Sequence, residues 1–208
     1  AEALDVKLIS SRMNIDVDNL LKKVMATMQE PFSDPSGLPT YLLCKMASKH
    51  VKVVLGGDGA DELLGGYEVY WANDLARWYR MIPESIREKF ISPLVKSIPD
   101  FGGKYRFQEQ AGRFIYGSKQ GPGRDHSTWR VFMPSHIKKK LYTPEFFDEI
   151  KDYDPIGVYE NTINRAREHG CSTLDSYLYA DLTFYLPNDM LVKIDRMSMA
   201  HGLEVRVP

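Results

Sequence analysis

The chain has 208 residues, of which 43% are hydrophobic, 26% charged and 12% aromatic, and its formal net charge is −1. This composition is typical of a globular protein with one large domain or two small ones. The near-zero charge excludes a nucleic-acid binder that acts through a basic surface, and the single basic run HIKKKLY at 136–142 is too short to alter that conclusion.

The cysteines and the apolar runs bear on the cellular compartment. Cys44 and Cys171 lie far apart in the sequence and lack metal-ligand spacing, so we expect reduced thiols, although pairing of the two remains open. No apolar run reaches membrane-spanning length, and the N-terminal residues show no signal-peptide pattern. We therefore expect a cytoplasmic protein with no membrane partner.

The first third of the chain alternates between strand and helix patterns. VKLIS at 6–10 is a short β-type run, and apolar residues recur at helical spacing over 16–28. A turn-rich stretch at 30–39 precedes a helix that is predicted to begin at Pro39 and to lead into the apolar strand VKVVL at 51–55. This strand–helix–helix–strand order predicts part of a parallel α/β sheet.

After Gly66, strand-like runs almost disappear and helical patterns predominate. The stretch GSKQGPGRDHST at 117–128 predicts a long loop because of its Gly and Pro residues. The last long helical pattern predicts two helices that are broken at Pro187. We therefore expect an α/β segment at 1–66 and a mostly helical part at 67–208.

The stretch GGDGADELLGGY at 56–67 follows the second predicted strand and holds the first candidate site. Ligands of open α/β folds bind at the carboxyl edge of the sheet, and Gly56 and Gly57 allow close approach to the backbone there. Asp58 and Asp61 are three residues apart, so on a helical turn they share a face and would bind Mg²⁺ through oxygen. Such residues are also typical of a plain turn or helix N-cap, and residue types alone leave both interpretations open.

A second candidate lies in LPNDMLVKIDRMSMAHGLEVRVP at 186–208. This stretch places Lys193 and Arg196 on a helix that is followed by the extended run EVRVP. The two cations are either solvated or salt-bridged side chains or contacts to phosphate charge, and the residues alone do not decide between these interpretations.

Three blocks of the chain resemble the synthetase domain of the glutamine-hydrolysing asparagine synthetases. They are EPFSDPSGLPTYLL at 30–43, GGDGADELLGGY at 56–67 and the C-terminal block at 186–208. The blocks stand in the order that is typical of the family. Together they extend over nearly the whole chain, with looser matching between about residues 70 and 170.

The resemblance implies a fold and a reaction. The fold is α/β: a partial adenine-nucleotide alpha-hydrolase-like (PP-loop ATPase) parallel sheet with a mostly helical C-terminal part. The reaction is ATP-dependent amide formation with Mg²⁺, in which a carboxylate, usually that of aspartate, is activated as an acyl-adenylate. Ammonia from a glutaminase domain then attacks the adenylate. The implied partners are thus small-molecule substrates, and association with further copies of the chain remains open.

The resemblance also implies roles for individual residues. Asp58 matches the acidic position near the reacting acyl group and is the candidate catalytic residue, which receives or orients a proton of the attacking amine. Asp61 is the candidate Mg²⁺ ligand, and Glu62 is expected to be a structural partner. The remaining assignments are nucleotide contacts at the strand end and phosphate contacts on the C-terminal helix: Leu55, Gly56, Gly57, Lys193 and Arg196.

The sequence departs from the family in several places. The Ser-Gly-Gly-x-Asp-Ser pyrophosphate loop and the glutaminase domain are absent from the 208 residues, Gly56 replaces the usual serine, and the match stops at Pro208. We therefore expect an excised middle piece of a longer enzyme that is inactive by itself. Two alternatives remain: a related amidotransferase that acts on another carboxylate, for example in surface-polysaccharide synthesis, or a degenerate, non-catalytic interaction domain.

Overall fold

The structure is a computed structural model, and it describes residues 3, 5–10, 12, 16–98, 107–131 and 133–208, with only the backbone at 96 and 136. The chain divides into two compact units. The first combines Ala1–Asp58 with Asn188–Pro208, and the second is Gly59–Pro187. The C-terminal segment thus packs with the N-terminal one. These units are defined by packing, whereas the predicted domains at 1–66 and 67–208 are defined by their expected function. That division therefore stays a prediction.

Helices make up most of the described chain. In chain order the elements are α1 (Val17–Met28), α2 (Gly37–Ala47), β1 (Val53–Leu55), α3 (Ala60–Leu64), α4 (Glu68–Met81), α5 (Glu84–Ile86), α6 (Ser92–Ser97), α7 (Phe107–Ser118), α8 (Arg124–Arg130), α9 (Ser135–Leu141), α10 (Pro144–Ile150), α11 (Pro155–Glu168), α12 (Thr173–Ala180), α13 (Val192–Met199) and β2 (Glu204–Arg206). Two π-helical stretches, Arg87–Ile91 and Asp181–Leu191, join α5 to α6 and α12 to α13. Among the described helices, none is both long enough and apolar enough to cross a membrane.

The sheet of the first unit, as far as the structure describes the chain, consists of β1 and β2 in parallel, in a register that pairs Val54 with Val205. Parallel neighbours need a crossover connection, and here the chain between residues 55 and 204 provides it. This small parallel sheet among many helices agrees with the coarse α/β class. The PP-loop arrangement stays a prediction.

The predicted strand at 6–10 is wrong, because these residues adopt no regular structure. Val6 is 57% exposed and Leu8 is 72% exposed, so the run buries little apolar surface. A short apolar run becomes a strand only where a neighbouring strand completes its backbone hydrogen bonds. No such neighbour lies beside it among the described residues.

The core of the first unit is built on α1, α2 and α13. Helix α1 contributes Leu20, Val24 and Met28, whose spacing of four residues places them on one face. The helix begins as predicted, because the carboxylate of Asp16 accepts a hydrogen bond from the backbone N–H of Asn19 and caps it. The rest of this buried set is Cys44, Met197 and Leu203.

The second unit has an aromatic core, formed where α4, α11 and α12 meet. Its buried members are Tyr70, Tyr159, Ile163, Tyr177 and Ala180. Buried tyrosines bring hydroxyl groups into the interior, and these groups need hydrogen-bond partners there. The partners form a polar cluster that is described below.

The predicted loop at 117–128 is wrong at both ends, since α7 extends to Ser118 and α8 begins at Arg124. Gly121 and Gly123 confine the turn to a few residues, because they take φ values of 86° and 94° that strain other residue types. The glycines therefore mark a tight connection between two helices.

The predicted break at Pro187 is also wrong, because this residue lies inside the π-helical stretch at 181–191. In an α-helix a proline lacks the backbone N–H and its ring collides with the carbonyl four residues earlier. A π turn is wider and bonds to the carbonyl five residues earlier. The wider turn thus accommodates the ring and the chain stays helical.

Candidate functional site

The end of β1 forms the first part of the predicted site. Leu55 closes the strand with 85% of its surface exposed, and the backbone N–H of Gly56 donates to the carbonyl of Arg206 at 2.8 Å. Gly57 is exposed, and a Cβ at this position would meet no atom within 4 Å. Open space beside a glycine backbone fits the predicted approach of a nucleotide.

Asp58 turns back over this strand end. A Cβ at Gly56 would lie 3.1 Å from Cγ1 of Val205 and 3.4 Å from Oδ2 of Asp58, so the serine usual in the family would need Val205 to shift. Burial and the nearby charge of Asp58 raise the pKa of the Cys44 thiol. Within the part of the chain that the structure describes, no hydrogen-bond or ion-pair partner engages the Asp58 carboxylate. It is therefore available to accept a proton.

Lys193 lies in a buried polar cluster of the first unit. Its ammonium donates to Oδ2 of Asp34 and to Oγ of Ser36, each at 2.7 Å, and the residue is only 4% exposed. Burial by itself would raise the pKa of Asp34, but the hydrogen bonds from Lys193 and Ser36 outweigh it and hold that pKa below its ordinary value. The structure thus shows the salt-bridged alternative, and phosphate contact by Lys193 would require this ion pair to open.

Arg196 follows on the same helix and is half-buried. Its Nη1 donates to Oε1 of Gln29 at 3.3 Å, a long contact to an uncharged acceptor. No carboxylate among the described residues pairs with it, so the guanidinium keeps donors for an anion. Of the two predicted phosphate contacts, Arg196 has the surroundings that fit this role.

Asp61 belongs to the second unit and lies on α3, between Gly59 and Gly65, which both have positive φ. Its Oδ1 lies over Gly66, where a Cβ would collide with it. The side chain is exposed, and it has no hydrogen-bond or ion-pair partner among the described residues. An exposed carboxylate without a partner fits a Mg²⁺ ligand whose other ligands are water and phosphate oxygens.

A Mg²⁺ site made by protein groups alone is not evident. Within the described residues, no group of three or more His, Cys, Asp or Glu side chains is arranged to hold a metal ion. Mg²⁺ usually keeps several waters and binds through one or two carboxylates plus the phosphates of a substrate. The donor chemistry at Asp61 therefore fits the ion when a nucleotide supplies the remaining oxygen atoms.

Glu62 has surroundings opposite to those of its neighbour Asp61. It is fully buried, and its Oε1 accepts a hydrogen bond from the hydroxyl of Tyr67 at 2.6 Å. Burial and the Glu62 acceptor raise the pKa of Tyr67, so the hydroxyl stays protonated. The face of the Tyr67 ring lies 4.4 Å from the guanidinium carbon of Arg130. These contacts agree with the expected structural role of Glu62.

A buried polar cluster in the second unit was not predicted from the sequence. The fully buried Asp181 accepts hydrogen bonds from the hydroxyls of Tyr70, at 2.5 Å, and Tyr159, from Nε2 of His126 and from Arg130. Burial by itself would raise the pKa of Asp181, but the His126 hydrogen bond and the Arg130 charge hold it below its ordinary value. One carboxylate thus ties α4, α8 and α11 to the start of the second π-helical stretch.

His126 lies at the centre of this cluster, fully buried and stacked on Tyr177 with 4.5 Å between the ring centroids. The amide nitrogen of Asn73 donates to its Nδ1 at 2.9 Å, so Nε2 carries the proton that faces Asp181. Burial lowers the pKa of His126 more than Asp181 raises it, and the ring is neutral at pH 7. No local motif signals this cluster, because Tyr70 and Asp181 are 111 positions apart.

The structure therefore places the predicted site residues in three locations. Residues 55–58 meet at one strand end of the first unit, and Lys193 and Arg196 lie on α13 of that unit. Asp61 lies on α3, which belongs to the second unit. The roles predicted for these residues stay predictions.

The family model and the curated relatives that match this chain all carry the description asparagine synthase or asparagine synthetase. A family model described as asparagine synthase matches residues 1–208. Asparagine synthetase 1 (glutamine-hydrolyzing) of Bacillus subtilis (strain 168) is 29% identical over 192 residues, which cover 91% of this chain and 28% of that protein. A putative glutamine-hydrolyzing asparagine synthetase of Mycobacterium tuberculosis (strain ATCC 25618 / H37Rv) is 30% identical over 211 residues, covering 100% and 30%. Putative asparagine synthetase 2 (glutamine-hydrolyzing) of Methanocaldococcus jannaschii is 30% identical over 186 residues, covering 88% and 33%.

The chain spans only about a third of the length of these curated relatives, and no solved structure matches it. The family match nevertheless extends over all 208 residues and includes both stretches that hold the candidate site residues. On this evidence, the chain belongs to the asparagine synthase family.

Proposed function

We propose that this chain is part of an ATP-dependent amide-forming ligase that activates a carboxylate for attack by ammonia. The observation that carries the proposal is the match of the whole chain to the asparagine synthase family. The relatives described above are named as glutamine-hydrolyzing asparagine synthetases. We therefore propose aspartate as the carboxylate, glutamine as the source of ammonia and asparagine as the product.

The proposed reaction has two steps. In the first, a carboxylate oxygen attacks the α-phosphorus of ATP, the bond to the bridging oxygen breaks, and pyrophosphate leaves as the acyl-adenylate forms. In the second, ammonia attacks the acyl carbon, loses a proton and displaces AMP. Both steps depend mainly on positioning and on stabilising the negative charge that develops on the leaving groups.

The strand end and the C-terminal helix would bind the nucleotide. We assign the backbone of Leu55, Gly56 and Gly57 to the nucleotide contact, because the space beside Gly57 is open. Arg196 would contact phosphate oxygens, since its one described hydrogen bond goes to a neutral amide. Asp61 would hold Mg²⁺, which when bound neutralises charge on the departing pyrophosphate.

Asp58 would act in the second step. An attacking ammonia must lose a proton as the amide forms, and a carboxylate within hydrogen-bond reach accepts or orients that proton. The Asp58 carboxylate has no partner among the described residues that would compete for this role.

A pyrophosphate-release assay on the full-length protein tests this function. The protein is incubated with ATP, Mg²⁺ and one carboxylate at a time, and amide products are identified by mass spectrometry after ammonia or glutamine is added. We expect aspartate-dependent pyrophosphate release and asparagine formation. Release with a different carboxylate only would identify a related amidotransferase. No release with any carboxylate would contradict the proposal and favour a non-catalytic interaction domain.

A further inference from the structure

Helix α3 needs an anchor outside itself. It has five residues and is bounded by glycines of positive φ at both ends, and a helix this short is not stable by its own hydrogen bonds. Its apolar residues do not anchor it, because Leu63 is 50% exposed and Leu64 is 84% exposed. The residue of α3 that is buried is Glu62. Glutamate is almost never fully buried unless it is paired, so the contacts of Glu62 inside the unit are expected to hold the helix in place.

The contacts of Glu62 lead directly into the buried polar cluster of the same unit. Its Oε1 accepts a hydrogen bond from the Tyr67 hydroxyl at 2.6 Å, and the Tyr67 ring lies 4.4 Å from the Arg130 guanidinium carbon. Arg130 is in turn ion-paired with the fully buried Asp181. Glu62 and Asp181, at the two ends of this chain of contacts, are fully buried, so hydrogen bonds to them are stronger than they would be in water. The short helix is thereby connected to the buried polar cluster around Asp181.

We infer that Glu62 is a positioning residue, which through Tyr67 fixes the orientation of α3 and thereby of the Asp61 carboxylate. Successive residues of a helix point about 100° apart, so a buried Glu62 turns Asp61 toward solvent. The backbone carbonyl of Asp61 also accepts a hydrogen bond from the N–H of Gly66 at 3.0 Å, which fixes the C-terminal side of the turn. The inference rests on the proposed function, because it takes Asp61 as the Mg²⁺ ligand.

Orientation matters for this ion in particular. Mg²⁺ demands near-ideal octahedral geometry and sheds its water reluctantly, so a carboxylate that wanders over several directions is a weak ligand. A loosened α3 would therefore lower the affinity for Mg²⁺ without removing the ligand itself. Saturating Mg²⁺ would overcome that defect, whereas it would not restore a residue that takes part in the chemistry.

The experiment compares three variants of the full-length protein. Tyr67→Phe removes the hydroxyl and leaves the ring on Arg130, and Glu62→Gln replaces the carboxylic group by an amide of nearly the same size. The matched control is Glu68→Gln, an exposed acidic residue in the first turn of α4. For each variant, the Mg²⁺ concentration at half-saturation is measured from pyrophosphate release at saturating ATP and carboxylate. The Mg²⁺ dependence of ATP binding is measured by calorimetry, and the urea midpoint reports stability.

We expect Tyr67→Phe and Glu62→Gln to raise the half-saturating Mg²⁺ concentration by up to about tenfold, the size of one net hydrogen bond. The rate at saturating Mg²⁺ should recover, the calorimetric titration should shift equally, and Glu68→Gln should match the wild type. An unchanged half-saturating concentration in both variants, with only a lower urea midpoint, would overturn the inference and leave Glu62 a purely structural residue.

Failure of the proposed function and failure of the inference for Glu62 give different experimental results. If the wild type releases no pyrophosphate, that function fails, and the calorimetric titration still decides the inference for Glu62. If Asp61→Ala gave the same calorimetric Mg²⁺ titration as the wild type, the inference would be overturned, because Asp61 would then not be the ligand that Glu62 positions.

Discussion

Asp61 and Glu62 are neighbouring carboxylates with opposite surroundings. Asp61 is exposed and without a described partner, whereas Glu62 is fully buried and hydrogen bonded to Tyr67. The turn of α3 separates them, since adjacent helical residues face different directions. Substitutions at the two positions should therefore have different effects, with chemistry most sensitive at Asp61.

We expect Asp61→Ala in the full-length protein to lower pyrophosphate release at least about 100-fold, because a metal ion contributes several kcal/mol of charge stabilisation. The free energy of unfolding should change by no more than about 0.5 kcal/mol, since the side chain is exposed. Pyrophosphate assays and urea unfolding measure the two effects. Asp148→Ala on α10, where the side chain is 70% exposed, is the control. If Asp61→Ala released pyrophosphate at the wild-type rate, the assignment of Asp61 as a Mg²⁺ ligand would be contradicted.

Asp58→Asn separates proton transfer from nucleotide binding. The amide cannot accept a proton as the carboxylate does, so we expect amide formation to slow by about 10²–10⁴-fold, the usual contribution of a general base. ATP affinity should stay close to that of the wild type, because the predicted nucleotide contacts are made by backbone groups at 55–57. Rapid-mixing measurements of amide formation and calorimetric ATP binding test this. Equal losses of ATP affinity in the Asp58 and Asp61 variants would show that their roles are not distinct.

Among the elements, α12 and the π-helical stretch after it carry Asp181 into the buried cluster. The start of α12 is fixed by a reciprocal cap, in which Oγ of Ser172 accepts from the backbone N–H of Asp175 at 3.1 Å and donates to its Oδ2 at 2.7 Å. Such a cap satisfies a backbone donor that the first turn of a helix otherwise leaves free. The helix therefore has a defined origin from which Asp181 is placed.

Ser172→Ala removes this cap and should lower the free energy of unfolding by about 1 kcal/mol. The effect should appear as a lower urea midpoint with an unchanged slope, since the native structure is retained. Ser172→Thr keeps a hydroxyl at the same position and serves as the control, with a midpoint near that of the wild type. A wild-type midpoint for Ser172→Ala would show that the cap does not stabilise α12.

At the scale of the whole molecule, the buried cluster should make stability depend on pH. The pKa of His126 lies below its ordinary value of 6.5, chiefly because burial disfavours the charged ring. As the pH falls through 6.5, the unfolded chain therefore gains a proton that the folded chain does not take up. The stability due to neutral His126 is present above pH 6.5 and is lost toward the lower folded pKa. Asp181, whose pKa is also lowered from 3.8, adds a loss of the same sign in stronger acid.

We expect the free energy of unfolding to fall below pH 6.5 by up to about 1.4 kcal/mol per pH unit for the proton of His126. Urea unfolding on both sides of that pH measures it. His201 adds to the slope because burial lowers its pKa too, so the difference between wild type and His126→Gln isolates His126. An equal slope in His126→Gln and wild type would contradict the prediction.

The sequence by itself determined the features that depend on neighbouring residues. The four-residue spacing of Leu20, Val24 and Met28 is sufficient to predict α1, since a helix face is defined by residues one turn apart. The strand at 51–55 and the glycines after it likewise predicted β1 and an open strand end, and both are present within the described chain. The family follows from motifs in a fixed order, which are also a property of the sequence.

Only the tertiary structure decided which polar residues are buried and with what partner. Lys193 pairs with Asp34 across 159 positions, and Asp181 collects donors from three helices that no local pattern connects. The helical course through Pro187 and the missing strand at 6–10 have the same origin, because each depends on what lies beside the segment in space. Local propensity acts over a few residues, whereas burial and charge pairing are set by residues that meet only when the chain has folded.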